Sequence, residues 1–178
     1  STNQPAIAST SFGSKPGVRF DGNGDILNVS SIRTTAGGYS IYAITRRAVD
    51  SGDANAHLVS ESSWALIPST TNSAFTAKVA KKSAASGSTL NNIKLGKSAS
   101  SSSNDFGGDL AELLLFTRQL TNLEEQQVEG YLAHKWGAAD SLDSNHTYKD
   151  VPPIFNNGPR IEELSGVVFH PVHASVFI

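Results

Sequence analysis

The run Gly108-Asp109-Leu110-Ala111-Glu112-Leu113-Leu114-Leu115-Phe116 is followed by Arg118-Gln119-Leu120 and Thr121-Asn122-Leu123-Glu124. Glu125-Gln126-Gln127-Val128-Glu129-Gly130-Tyr131-Leu132-Ala133-His134-Lys135-Trp136-Gly137 completes the stretch. Asp109–Phe116 is the most apolar segment of the chain and reads as a buried strand. Thr121 and Glu124 stand at capping-box spacing, where the hydroxyl caps the Glu amide and the carboxylate reaches back. Leu123, Val128, Tyr131, Leu132 and Trp136 then recur at helical spacing, and Gly137 supplies a C-terminal stop. This predicts one amphipathic helix of about four turns. Leu123, Tyr131, Leu132 and Trp136 are expected to pack on the rest of the molecule.

Outward from this stretch, the first half of the chain reads as short β segments between turns. Val18 and Phe20 lead into Asp21-Gly22-Asn23-Gly24-Asp25, with Ile26, Leu27 and Val29 after it, which predicts a hairpin around a Gly-rich turn. Gly37-Gly38 opens Tyr39–Arg46, where Tyr39, Ile41 and Ala43 share one face and Tyr42 and Ile44 the other. A strand apolar on both faces belongs in the middle of a sandwich. His57–Ser60 and Trp64–Ile67 form a strand pair closed by Pro68. Phe75-Thr76-Ala77-Lys78-Val79 alternates with Lys78 outward, and Leu90–Leu95 is its weaker sequel. Ser98 to Asn104 is a serine-rich segment, expected as a mobile loop at a sheet rim.

The composition agrees with this reading. The 178 residues correspond to one domain, able to bury about 70% of their unfolded surface without staples. Hydrophobic residues make up 38% and charged residues 17%, the polar remainder being Ser, Thr, Asn and Gly rather than helix formers. The net charge of -2 gives no basic excess to neutralise phosphates, so nucleic acid is not an expected partner. With Cys 0, disulfides, thiolate metal sites and Cys nucleophiles are excluded. Met is absent even at position 1, so a cleaved or longer precursor is expected. No apolar run is long enough to span a membrane, and the polar start is no signal peptide.

The stretch from Gly108 to Gly137, continued by Leu142, His146, Tyr148 and Pro152-Pro153, resembles concanavalin A-like (laminin G-like) jelly-roll domains of marine bacteria and their phages. Pro16-Gly17-Val18-Arg19-Phe20-Asp21-Gly22, with Asp25 and Leu27, is similar to the early hairpin of that family. The resemblance implies an all-β fold: a two-sheet antiparallel β-sandwich, or jelly roll, with a helix against one edge near the C-terminal side. It implies residues 1–153 as the domain and 154–178 as a β-prone extension without a counterpart. It also implies a non-catalytic, extracellular, glycan- or protein-binding role, often with a calcium ion. One departure is that the opening strand of the family is missing before Ser1.

Candidate chemistry is sparse. Glycoside hydrolysis with retention needs two carboxylates about 5–5.5 Å apart, hence an alternating acidic pair on one strand. No such pair occurs; Glu112 stands alone, expected between Leu110 and Leu114 on its face and held by an Arg or by backbone amides. Asp21, Asn23 and Asp25 place three oxygen-bearing side chains at alternate positions, as calcium prefers, but the same residues are ordinary turn formers. Asn104, Asp105 and Asp109 form a second such cluster. His170 and His173 have a metal-clamp spacing within an apolar β segment that equally suits packing. Asn28-Val29-Ser30 and Asn145-His146-Thr147 fit glycosylation acceptors. Sugar binding needs an aromatic platform with polar acceptors, for which Tyr39, Tyr42, Trp64 and Tyr148 are available.

The expected function is a surface-displayed module for glycan or protein recognition and adhesion. The alternative is a structural subunit of a virion or extracellular assembly. A late-starting jelly roll leaves a sheet edge open, and Val167–Phe169 and Ala174–Ile178 are spare β-prone pieces. Residues 165–178 are therefore expected to add to a sheet edge, of their own domain or of a neighbouring copy in a homo-oligomer.

Overall fold

A computed structural model describes residues 3–47, 56–68, 77–154 and 166–169. In chain order the strands are β1 (Ala6–Phe12), β2 (Lys15–Asp21), β3 (Leu27–Val29), β4 (Arg33–Arg47) and β5 (Val59–Glu61). They continue with β6 (Trp64–Leu66), β7 (Lys78–Leu90), β8 (Ile93–Leu95), β9 (Gly107–Phe116) and, after the helix α1 (Asn122–Trp136), β10 (Gly166–Phe169). The large sheet runs β1-β2-β9-β4-β7, with β10 also on β9; the small sheet runs β3-β8-β5-β6. All the strand pairs are antiparallel. The described residues are thus mostly β, in two antiparallel sheets with one α-helix.

Alternation on β4 builds two cores, one on each side of the large sheet. Tyr39, Ile41 and Ala43 face the small sheet and pack with Val59, Leu66, Ile93 and Leu95. Tyr42 and Ile44 face the other way and pack with Val128, Leu132 and Trp136 of α1. The helix therefore lies over a face of the large sheet, not against an edge. A row of apolar side chains on that face needs a cover, and α1 supplies it. Thr121 and Glu124 form the capping box, and Gly137 ends the helix at φ 67. Leu123 departs from expectation: it is 61% exposed in the first turn, on the side turned from the sheet. Gly130 sits where Tyr148 crosses the helix; a Cβ there would come within 2.5 Å of the Tyr148 Cβ. A glycine in mid-helix is thus a packing requirement of the segment that follows α1.

Two further expectations are corrected. β2 and β3 are no hairpin: they belong to different sheets, and Asp21–Asp25 carries the chain from one to the other. Gly22 and Gly24, at φ 77 and 94, allow that turn, and Asp25 folds back to accept the Asp21 amide. Ahead of β2, β1 forms the edge of the large sheet and pairs with β2. On β9 a bulge sets Ala111 aside between the pairs Ile44–Glu112 and Thr45–Leu110. It turns Glu112 toward α1 while Leu110 faces the inner core.

β7 runs 13 residues from Lys78, well past the alternating segment that announced it; Phe75 and Thr76 lie outside the described residues. β10 pairs with Leu113–Phe116 of β9, end to end with β2, which takes Gly107–Leu110. A piece of the C-terminal extension thus joins the sheet of its own chain, beside β9. His170, His173 and Ala174–Ile178 lie outside the described residues. No described helix is long and apolar enough to cross a membrane.

Candidate functional site

A cavity of about 620 Å³ opens where β3, β5 and β8 meet. Asn28 of β3 pairs with Lys94 of β8, and Lys94 with Ser60 of β5. Along each strand these residues alternate with the inner Leu27, Leu95 and Val59, so they form the outer face of the small sheet. Asn91 and Asn92, in the turn between β7 and β8, add two amides, and Ser30 and Ser62 add hydroxyls. Asn92 takes φ 49, a conformation that asparagine tolerates better than most residues. Ala99 brings the serine segment over one side of the cavity. That segment is tied to itself: Ser98 Oγ accepts from the Ser100 and Ser101 amides at 3.3 and 3.1 Å. Ser60 Oγ donates to the Lys97 carbonyl at 2.7 Å and holds the segment to the sheet.

Glu61 is the one carboxylate among the residues lining the cavity, and it is fully engaged. Its Oε1 accepts from Ser62 Oγ at 2.8 Å and Thr89 Oγ1 at 3.1 Å. Its Oε2 accepts from the Ser63 amide at 2.8 Å and the Ser63 hydroxyl at 2.7 Å. Burial works to raise its pKa, but the Ser63 amide and the three hydroxyls outweigh burial and hold it below the ordinary range. Lys94 differs from its neighbour Lys97, which lies 3.6 Å from Asp105. Among the described residues the Lys94 ammonium has no hydrogen-bonding or ionic partner.

The structure does not bring the four aromatics together as a platform. Tyr39 and Trp64 stack on each other at 4.7 Å within the inner core, and Trp64 Nε1 donates to the Thr89 carbonyl. Burial, and after it the Glu61 charge, push the Tyr39 phenol up to about 12. Tyr42 is buried on the opposite side of the same sheet, under α1. Tyr148 lies half-buried against Gly130, and its carbonyl meets His134 Nε2 at 2.8 Å.

At the turn proposed for calcium, Asp21 Oδ1 accepts from the Asn23 amide at 2.7 Å and Asp25 Oδ2 from the Asp21 amide at 2.8 Å. Asp21 and Asn23 are exposed and Asp25 is buried. This bonding is that of a self-capped turn. The second acidic cluster is dispersed: Asp109 is held by Arg19 and Arg46 at 2.8 and 2.6 Å, and Asp105 faces Lys97. Glu112 is fully buried and, among the described residues, it is held by side chains of α1. Trp136 Nε1 donates to its Oε2 at 2.5 Å, and Lys135 Nζ lies 2.9 Å from the same oxygen.

Among family models, curated proteins and solved structures, none matches this chain.

Sequence reasoning missed the cavity. Asn91-Asn92 lay inside a segment read as strand, and the juxtaposition of Asn28, Glu61 and Lys94 depends on pairing between strands distant in the chain. The one local signal was the Asn-Asn pair, two turn-prone residues between apolar ones.

Proposed function

We propose that this chain is a non-catalytic recognition module of the laminin G-like jelly-roll kind, displayed on an outer cell or virion surface, and that it binds a glycan in the cavity over the small sheet. The observation that carries the reading is the lining. Three side-chain amides, two hydroxyls and one ammonium converge in a space of about 620 Å³, within the roughly 300–1,000 Å³ of ligand sites. Amides and hydroxyls both donate and accept, as recognition of sugar hydroxyls requires. Half of the lining residues stand on short paired strands, which hold that part of the wall rigid before a ligand arrives. The non-catalytic part of the reading rests on Glu61. One carboxylate with both oxygens committed lacks the second acid or base that glycoside hydrolysis needs.

The test is co-sedimentation of the full chain with a panel of insoluble polysaccharides, beside the Asn28→Ala variant. Asn28 is exposed on β3, so its loss leaves the fold intact. Retention on at least one glycan, weakened about tenfold in the variant and without release of reducing sugar, is the expected result. Wild-type protein retained by none, or a variant retained equally well, would refute the reading.

One observation favours the structural-subunit alternative. β1 is an edge strand without a charged residue, and its Ile7 is 66% exposed. Unguarded edges of this kind invite strand pairing between copies.

A further inference from the structure

We infer that the cavity over the small sheet selects an acidic glycan, seating a carboxylate or sulfate group on the Lys94 ammonium. The inference rests on the glycan-recognition reading and deepens it. Lys94 stands on the outer face of β8, between Asn28 of β3 and Ser60 of β5. It is half-buried there, and among the described residues its ammonium meets no acceptor.

The neighbouring charges are already committed. Lys97 lies 3.6 Å from Asp105. The Glu61 carboxylate, the obvious partner inside the cavity, is turned to the Ser63 amide and to the hydroxyls of Ser62, Ser63 and Thr89. Those four donors stabilise its charge where it stands and leave Lys94 to a ligand. The ammonium thus faces a space walled by amides and hydroxyls, with the Glu61 carboxylate satisfied by its own four donors. A neutral sugar would satisfy that wall and leave the cation with water. An acidic sugar would satisfy both, and its charge-assisted hydrogen bond is stronger than a neutral one. The net charge of -2 gives the molecule as a whole no attraction for polyanions, so selectivity for an acidic ligand has to be local.

The experiment pairs polysaccharides that differ mainly in charge. Carboxymethylcellulose is set against hydroxyethylcellulose, and iota-carrageenan against agarose, in affinity electrophoresis of the full chain. Lys94→Gln is the test variant and Lys82→Gln, at an exposed lysine on β7, is the control. The expected result is preference for at least one charged member by about tenfold, lost in Lys94→Gln and kept in Lys82→Gln. Which pair responds tells a carboxylate ligand from a sulfate ligand. Equal binding of charged and neutral members, unchanged in Lys94→Gln, would overturn the inference and leave glycan recognition standing. Equal weakening by both variants would also overturn it, as diffuse charge attraction. Binding to no member of either pair would overturn the inference together with the reading beneath it.

Discussion

Trp136 serves two interactions at once. Its ring packs edge-on against Phe12 at 5.6 Å, and its indole N–H reaches the buried Glu112 carboxylate at 2.5 Å. Trp136→Phe keeps most of the ring but leaves Glu112 short of a donor, and should cost about 1–3 kcal/mol. Trp136→Ala adds a cavity and should cost about 3–5 kcal/mol. Urea unfolding of both variants separates the two contributions; a Phe variant as stable as the parent would show that the indole N–H carries nothing. Burial of Lys135 works to lower its pKa, but Tyr131 and Glu112 outweigh burial and raise it. The attraction to Glu112 therefore persists at and below the usual lysine range and fades only as pH climbs through the raised value. That Trp136 is buried was legible in its spacing on the helix. That Glu112 is its partner was not, because a one-residue bulge decides which way a strand side chain points, and nothing in Leu110-Ala111-Glu112 announces a bulge.

At the scale of elements, the start of α1 is heavily bonded. Thr121 and Glu124 cap each other, and Arg118 adds a bidentate pair to the Glu124 carboxylate at 2.7 and 2.9 Å. The Arg118 bond leads, and against the opposing effect of burial the Glu124 carboxyl is brought from 4.5 down to about 2. A depressed acid stabilises the folded state above its unfolded value and loses that share as pH falls through the folded value. The melting temperature of the parent should therefore exceed that of Glu124→Gln above pH 4.5, and the gap should close as pH approaches 2. A gap that stays constant across this range would contradict the assignment. The Asp21–Asp25 turn is held by its own amides, so the melting curve should be the same with calcium as with a chelator. A rise of several degrees in calcium would show that an ion completes the turn. The capping box, β9 and β4 were legible because local chemistry and periodicity agree there. β1 and most of β7 were not, since edge strands of Ala, Ser, Thr and Lys form through pairing and carry no apolar alternation.

At the scale of the whole molecule, two sheets and a helix make three layers around two cores; the two apolar faces of β4 were legible, but the helix over the second of them was not. The site was harder to read. It lies on the outer face of the small sheet, whose strands are three residues each, and its lining is assembled by pairing of β3, β5 and β8 across the chain. The large sheet also depends on a distant segment, since β10 covers Leu113–Phe116 of β9. A chain ended at Pro153 should expose that stretch of backbone and aggregate, as light scattering after size-exclusion chromatography would show. Unchanged solubility and melting would mean that β10 contributes nothing to the sheet. The claim at the centre is that the small-sheet cavity takes an acidic glycan, and backbone hydrogen exchange of the full chain addresses it directly. With saturating carboxymethylcellulose or iota-carrageenan oligosaccharide, protection should rise around residues 28–30, 61–62, 91–94 and 99. Protection confined to β1 or to the segment after α1, or unchanged exchange throughout, would contradict it.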